Sequence, residues 1–373
     1  MGQGITLFRQ VQAELPRAVF DQAVRACRGN YKVQKASCWS HCLCLMLGLL
    51  LHCQSLRDLQ NTLACRLYYL RRWGLGSADK STVSRANAHR PSAVMEAVFE
   101  ALWRRVQAVA PAHRFRFRQR LVSMDATVMT VSARLFPWAR CAPTESGIKM
   151  HILLDHHGVV PRLVEIKTLR QSELKLAQQR RFPRDQVLCF DRGYFHSGWF
   201  QQLTDQGVRF VTRLPPRILY RVLRERPAND ERGVVADQII RFTGVTPRAR
   251  CSARLRLVTY SDAVSGRTLR FLTNQLTWSA WTVCQIYKDR WQIELFFKWL
   301  KQHLKVTTFY SRDENGVRWQ LLMALCLYLL LATLKYHYHL DQSLWQLHRL
   351  LERHLFDPVT LQNLLLGHYQ FQT

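Results

Sequence analysis

Acidic side chains are scarce in this chain: 26 Asp and Glu stand against 54 Lys and Arg, a formal net charge of +28 over 373 residues. That deficit excludes a charge-balanced protein and calls for a polyanionic partner, of which nucleic acid is the usual one. A long basic tail is also missing. The cations are scattered, with short clusters at Arg114–Arg120 and Gln178–Arg184, so the charge belongs to faces of folded domains rather than to a disordered arm. A ribosome-associated or merely solubilised basic protein is the alternative that charge alone leaves open. Regular cysteine pairing is absent too. Eleven cysteines without paired spacing do not make a disulfide framework, and free thiols fit a reducing cytoplasm. The densest group, Cys38, His41, Cys42, Cys44, His52 and Cys53, lacks a second pair at finger spacing. It lies at the edge of the apolar run Trp39–Leu51 and reads as buried core cysteines rather than zinc ligands. Met1–Arg9 has neither the charged nor the apolar region of a signal peptide. The most apolar run, Leu321–Leu334, is short for a bilayer span and reads as a core helix. The expectation is a cytoplasmic protein, at the nucleoid when DNA-bound, with no membrane partner.

What is present is a core-building composition, 48% hydrophobic, enough for two or three domains. Residues 1 to about 118 carry helical periodicity: Leu15–Cys27, Ala36–Cys53, Ser55–Tyr69 and Ala93–Val109 place apolar residues at three-and-four spacing, with Ser55 as a cap for Leu56–Leu67. The loop Trp73–Asp79, with two glycines, leads into a short polar helix, Ser81–Arg90. Helix, glycine turn and second helix suggest a helix-turn-helix DNA reader in which Arg85 and Asn87 face DNA. An ordinary helical hairpin with a polar outer face carries the same pattern. From Arg120 the period changes. Strands are expected at Leu121–Ser132, Gly147–Asp155 and Val159–Thr168, then a helix at Ser172–Arg181 and a short apolar strand, Gln186–Asp191, ending in an acid. A helix at Gly198–Asp205 and a strand at Val208–Arg213 complete an α/β order with a mixed sheet. After Pro215-Pro216, β-rich stretches at Arg217–Leu223, Ser252–Thr259 and Thr268–Thr273 read as an inserted sheet. A long helix, Ala280–Leu304, an apolar helix, Val317–Tyr338, and a short helical tail follow. The expected domains are a helical segment 1–118, an α/β core in two parts, 119–216 and 276–340, a β-rich insertion 217–275, and a helical tail 341–373.

The helix Ala280–Leu304 carries the chemistry. Tyr287, Arg290, Glu294 and Lys301 project from it within an arc of about 60°, beside an apolar edge of Ile286, Ile293 and Leu300. One carboxylate among two cations and a phenol suits a metal ligand beside a bound phosphate better than a salt-bridged surface helix. Lys298 and Lys305 extend the basic face toward phosphates. Trp291, Leu295 and Trp299, spaced by four, read as core. Phosphoryl transfer on two Mg²⁺ ions explains carboxylates set among cations, because such ions take carboxylate oxygens, activate a water or 3′-hydroxyl and stabilise the leaving oxygen. Asp125 in the first strand, Asp191 at the end of the fourth and Glu294 on the helix supply a set. Asp155 and Glu165 compete, but Asp155 stands before a turn, where solvated acids are common. Lys149 and His151 share one face of their strand, either to reach DNA or to line a solvated edge.

The spacing Tyr287, Arg290, Glu294, Lys301 resembles the Y-R-E-K signature of the insertion sequence four transposase family. Met124-Asp125-Ala-Thr127 resembles that family's first acidic motif, Asp191-Arg-Gly-Tyr194 its second, and Phe271-Leu-Thr-Asn274 the strand closing its β insertion. The N-terminal stretch, with Leu15-Pro16, Ser55-Leu-Arg-Asp58 and Ser81–Asn87, is similar to the helical domain of many members, so the resemblance spans nearly the whole chain. It implies a DDE transposase with a ribonuclease H-like α/β core, a mixed sheet flanked by helices, interrupted by a β-rich insertion and preceded by an all-helical domain. Asp125, Asp191 and Glu294 would be the metal ligands and catalytic acids, for two Mg²⁺ ions with Mn²⁺ as substitute. Tyr287, Arg290 and Lys301 would hold phosphates of the transposon end, with Arg192 and Lys298 as further DNA contacts. The partners would be double-stranded DNA, as terminal inverted repeats and target, and a second copy of the chain in a homodimeric synaptic complex. Similar enzymes cut through a hairpin intermediate on which an aromatic side chain stacks. Some members carry a Trp on the strand that here reads Thr268-Leu-Arg-Phe271; Trp278 and Trp281 follow it instead. A catalytically silent DNA-binding descendant would have no reason to keep Asp125, Asp191 and Glu294 together. A resolvase-like nuclease would leave Tyr287, Arg290 and Lys301 unexplained.

Overall fold

Apolar residues at three-and-four spacing wind the N-terminal stretch into helices α1 (Leu7–Ala13), α2 (Arg17–Ala26), α3 (Cys38–Leu50), α4 (Leu56–Ala64), α5 (Lys80–His89) and α6 (Ala93–Val109). The computed structural model describes residues 5–65, 75, 79–142, 145–228, 232–244, 251–263, 266–304 and 306–367. Most of the expected glycine turn at 73–79, and Lys305, lie outside them. The chain divides into two units, one of residues 1–111, 129–147 and 297–373, the other of residues 112–128 and 148–296.

In the first unit the N-terminal helices do not stand alone. Helix α11 (Glu314–His337) packs on α3, α5 and α6, and on α12 (Leu344–His354); α13 (Leu361–Leu365) follows. The indole of Trp319 donates to the Arg90 carbonyl at 2.7 Å, and Asn315 Nδ2 donates to the carbonyls of Asn87 and Arg90, both at 2.7 Å. Residues 1–111 of the expected segment 1–118 and the tail 341–373, expected as separate domains, thus share one unit, while residues 112–118 belong to the other. The reason is α11 itself. It is apolar all round and needs cover on every side; it is long and apolar enough to cross a membrane, yet 94% of its most apolar window is buried inside the fold. The cysteines of α3 are buried with it. Ser37 caps α3 by accepting from Ser40 N at 3.1 Å, and Ser55 caps α4 by accepting from Asp58 N at 3.1 Å.

Asn87 corrects the sequence reading. Expected to face DNA, it is fully buried on α5, where its Oδ1 accepts a 2.7 Å hydrogen bond from His41 Nε2. Burial lowers the His41 pKa to about 4, so the imidazole is neutral. Asn87→Ala should therefore destabilise the unit by about 1–3 kcal/mol, the cost of stranding a buried polar group. A lowered urea midpoint with unaltered DNA affinity is the expected pair of results. A selective loss of DNA affinity at full stability would restore the surface reading.

The second unit is built on a sheet of strands β1 (Leu121–Thr130), β2 (Gly147–Asp155), β3 (Val160–Thr168), β4 (Val187–Phe190), β5 (Arg209–Arg213), β6 (Tyr220–Arg226), β7 (Val234–Phe242), β8 (Leu255–Asp262) and β9 (Arg267–Thr273). Among the described residues its order is β3-β2-β1-β4-β5-β9-β8-β7-β6. β2 and β3 run antiparallel, while β1, β4 and β5 run parallel. Helix α7 (Glu173–Gln178) leads from β3 to β4 and α8 (Ser197–Asp205) from β4 to β5, with α9 (Ala280–Asp289) and α10 (Trp291–His303) after β9. An antiparallel meander followed by parallel crossovers, in the order 3-2-1-4-5, is the ribonuclease H-like core. Apolar side chains fill both faces: Leu188, Phe190, Phe200 and Phe210 on one, Val187, Cys189, Val211 and Ile286 on the other. Burying each stabilises the fold by about 1.5–3 kcal/mol.

The insertion is not a sheet apart. β9 pairs antiparallel with β5, and β8, β7 and β6 continue the same sheet, because β5 would otherwise be an unpaired edge. Strand β7 escapes a sequence reading because Asp237 breaks its apolar alternation; the acid is buried and paired with Arg256 of β8. Asp155 is likewise not a solvated turn acid. It is fully buried, with Oδ2 bound by Arg120 at 2.5 Å and Oδ1 accepting from His157 N at 2.9 Å. Lys149 and His151 form no solvated edge either, since Lys149 pairs with Glu173 at 3.1 Å and His151 is buried. The expected core series on the long helix is overturned at two of its three positions, since Trp299 is half-buried and packs edge-on to Tyr328 at 5.0 Å. Trp291 and Leu295 are 57% and 44% exposed, because Ile293, Phe296 and Leu300 take the inward face.

Candidate active site

Two of the three expected acids meet because two strands are parallel. Met124 of β1 pairs with Phe190 of β4, so the next residue on each, Asp125 and Asp191, stand side by side where β4 ends. Neighbouring strands lie about 4.8 Å apart. Asp191 closes the strand by capping the turn Arg192–Tyr194, its Oδ1 accepting from Gly193 N at 2.7 Å. A Cβ at 193 would come within 2.9 Å of that same oxygen, so a side chain there would push the Asp191 carboxylate aside. Arg192 is exposed and Tyr194 is buried beneath the turn.

Helix geometry brings the third acid. The expected continuous helix is interrupted at Arg290: its N–H reaches both Ile286 O and Tyr287 O at 3.2 Å, and Ile293 N bonds back three residues to Arg290 O at 3.0 Å. This tightened turn directs the Arg290 guanidinium between two carboxylates, Nη1 to Asp125 Oδ2 at 3.2 Å and Nη2 to Glu294 Oε1 at 2.5 Å. Tyr287 packs its ring on Phe271 at 4.8 Å and lies under the Arg290 guanidinium at 5.5 Å; burial pushes its phenol up to about 12. Lys298 and Lys301 lie further along α10, in the stretch counted with the helical unit; Lys298 is exposed and Lys301 half-buried. A fourth carboxylate, not singled out from sequence, belongs to the same neighbourhood. Glu173, in the first turn of α7, acts electrostatically on both Asp125 and Tyr194. The only signal for it was its place behind the cap Ser172.

Burial raises the Asp125 pKa to about 6, against the opposing effects of the Ala126 N–H and Arg290, with Asp191 and Glu173 adding to the rise. Without a bound cation the native carboxyl holds a proton that the unfolded one has released, so its contribution to stability is complete below about pH 4 and is lost as pH rises through about 6. The loss amounts to at most about 3 kcal/mol. Urea unfolding of metal-free protein should show this decline between pH 4 and 7 relative to Asp125→Asn, in which it is absent; identical pH profiles for the two proteins would contradict it.

The donor set suits a hard divalent cation, being oxygen from acids on β1, β4 and α10. As the side chains are placed, no three acid, His or Cys side chains among the described residues group tightly enough to hold one. Arg290 stands between Asp125 and Glu294 as the cation that balances them, and it would have to yield for a metal to take both.

In the helical unit a second basic feature is a groove lined by Tyr31, Lys32, Lys35, Arg85, His89 and Arg90. Arg85, unlike Asn87, is exposed there.

Residues 116–330 match the family described as Transposase DDE domain. The chain belongs to the DDE transposases. A stretch at residues 3–75 matches a family described only as a domain of unknown function. Among curated relatives, a Sinorhizobium fredii protein named as a transposase, y4zB, is 31% identical over 259 residues, covering 68% of this transposase and 71% of the relative. A probable transposase for insertion sequence element IS5377 of Geobacillus stearothermophilus is 30% identical over 270 residues, 70% of this chain and 69% of that one. Among solved structures, the piggyBac transposase synaptic complex with hairpin DNA covers 98% of the chain and 80% of its own, at 12% identity and a TM-score of 0.47, a likeness too distant to carry argument. The family thus agrees with the ribonuclease H-like topology, and the match spans every strand of the sheet.

Proposed function

We propose that this insertion-sequence transposase binds the terminal inverted repeats of its element and cuts and joins DNA strands by phosphoryl transfer, with Asp125, Asp191 and Glu294 holding two divalent cations, Mg²⁺ or, as substitute, Mn²⁺. The observation that carries the reading is the register of β1 against β4, which sets Asp125 beside Asp191, with Arg290 linking Asp125 to Glu294. When bound, the cations supply activation of a water or 3′-hydroxyl and stabilisation of the leaving oxygen. The chain's own residues do the rest. Arg290 neutralises the acids before a cation arrives and becomes a phosphate ligand once released from them. Tyr287 braces its guanidinium. Lys298, Lys301 and the exposed Arg192 add cationic contacts to the DNA backbone, each costing affinity as salt rises. Arg85 and its basic groove take repeat DNA in the helical unit. Two ends must be joined, so a homodimer on DNA is the working assembly.

The test uses purified protein, Mg²⁺ and a duplex ending in the element's terminal repeat. Strand cleavage at the 3′-end of the element, lost with EDTA, is expected, and a denaturing gel reads whether a hairpin product forms. Binding of the repeat with no cleavage under Mg²⁺ or Mn²⁺ would leave a silent DNA-binding protein in place of the enzyme.

A further inference from the structure

We propose that a groove on the α/β unit, formed by the segment before β1 and the start of α9, holds an unpaired nucleic-acid strand. It measures about 680 Å³ and is lined, among the described residues, by Arg114, Phe115, Arg116, Phe117, Arg232, Trp278 and Trp281 together with neutral polar residues. The proposal rests on the reading that the chain acts on DNA, and not on the assignment of the catalytic acids.

The aromatic rings are already stacked. Phe115 and Phe117 lie 5.4 Å apart at 11°, and Phe117 and Trp278 lie 4.6 Å apart at 15°. Guanidinium groups stand over the rings nearby, Arg114 at 5.4 Å from Phe115 and Arg232 at 6.0 Å from Trp281. The rings are pinned from below, packed against the core of Leu121, Val283 and Cys284. Arg114 is fixed by Asp289 at 2.5 Å and by Gln285 at 3.3 Å. The Trp278 carbonyl is held by Arg256. Along the segment, exposed Arg114, Arg116 and Arg118 alternate with half-buried Phe115 and Phe117.

That alternation matches the repeat of a polynucleotide strand, with a phosphate for each base. Rings stacked on one another offer a base the outer faces of the stack and the ring edges rather than the faces between them, at a value that hardly depends on sequence, and cations track the backbone. A duplex conceals its base faces in its own stack, so its rings' partners are unavailable; an unpaired stretch offers them. An acidic protein segment would meet the charges but has no use for a ladder of parallel rings.

The experiment uses the full chain in EDTA, so that nothing is cut, and a fluorescein-labelled mixed-sequence 15-nucleotide DNA as single strand or duplex. Anisotropy titrations across a salt series compare wild type, Arg116→Glu/Arg232→Glu and Trp278→Leu. Both substituted arginines are exposed, so the double variant should melt as the wild type does. It is expected to bind the single strand at least tenfold more weakly, with a log–log salt slope shallower by about 1.4, for two phosphate contacts, and duplex within twofold. Trp278→Leu should lose about fivefold or more on the strand, with the salt slope unchanged. Unaltered strand affinity in both variants overturns the proposal. So does an equal loss on strand and duplex, which would reduce the groove to a generic cationic patch. Wild type that binds duplex but no single strand fails this inference alone; wild type that binds neither fails the DNA-acting reading beneath it.

Discussion

Glu294→Gln should abolish strand cleavage, by at least about a thousandfold, while affinity for repeat duplex stays within a few-fold of the wild type. The substitution is close to isosteric, and the amide oxygen can still accept from Arg290 Nη2, as the carboxylate does at 2.5 Å. Stability should hardly move, because Glu294 is one-third exposed and its helix is anchored by Ile293, Phe296 and Leu300 on the opposite side. What is lost is a negative oxygen donor. A neutral amide binds Mg²⁺ far less well, and Arg290 keeps Asp125 as its one charged partner, which favours the ionised Asp125 and so works against a merely electrostatic explanation of the loss. Single-turnover cleavage on a 3′-labelled duplex, read beside anisotropy on the same DNA, separates chemistry from binding. Cleavage at the wild-type rate would sink the assignment of Glu294. A parallel fall in binding and cleavage would make it a DNA-positioning residue instead.

The three acids were legible to different depths. Asp191 is visible because a short apolar run ends on it, and the strand β4 is buried over its whole length. Glu294 is visible through companions on one helix face, although the turn at Arg290 was not; nothing in the sequence marks a place where helical hydrogen bonds shift from four to three residues. Asp125 is placed by pairing with a strand more than sixty residues away, a relation that periodicity cannot express. Failures share a cause. Asn87, Asp155 and Asp237 are polar residues whose side chains are buried against distant partners: His41 for Asn87, Arg120 for Asp155, and Arg256 with Arg226 for Asp237. A local pattern assigns such residues to the surface, since most polar residues are there. The same limit hid the common core of the first and last helices, and the continuity of the insertion with the sheet, because both are contacts between remote segments.

The largest stability effect is expected at one of those buried pairs. Arg256 is 1% and Asp237 3% exposed, and they are joined by two hydrogen bonds, Nε to Oδ1 at 2.7 Å and Nη2 to Oδ2 at 2.6 Å. Asp237→Ala leaves a guanidinium buried without its carboxylate, at a cost of about 3–5 kcal/mol. Calorimetry should show the melting midpoint lowered by roughly 6 °C or more. Replacing both, as Asp237→Leu with Arg256→Met, removes the stranded charge and should recover most of that loss. Recovery by the double variant is the informative result, since a pair that contributed net attraction would leave it as unstable as the single. The consequence reaches function through the sheet. Asp237 and Arg256 join β7 to β8, β8 pairs with β9, β9 with β5 and β5 with β4, at whose end Asp191 stands. Arg256 also holds the Trp278 carbonyl at the groove. Asp237→Ala should therefore weaken single-strand binding at temperatures where the protein is still folded. The double variant, which restores the core but not the bond to Trp278, should regain stability without regaining that affinity.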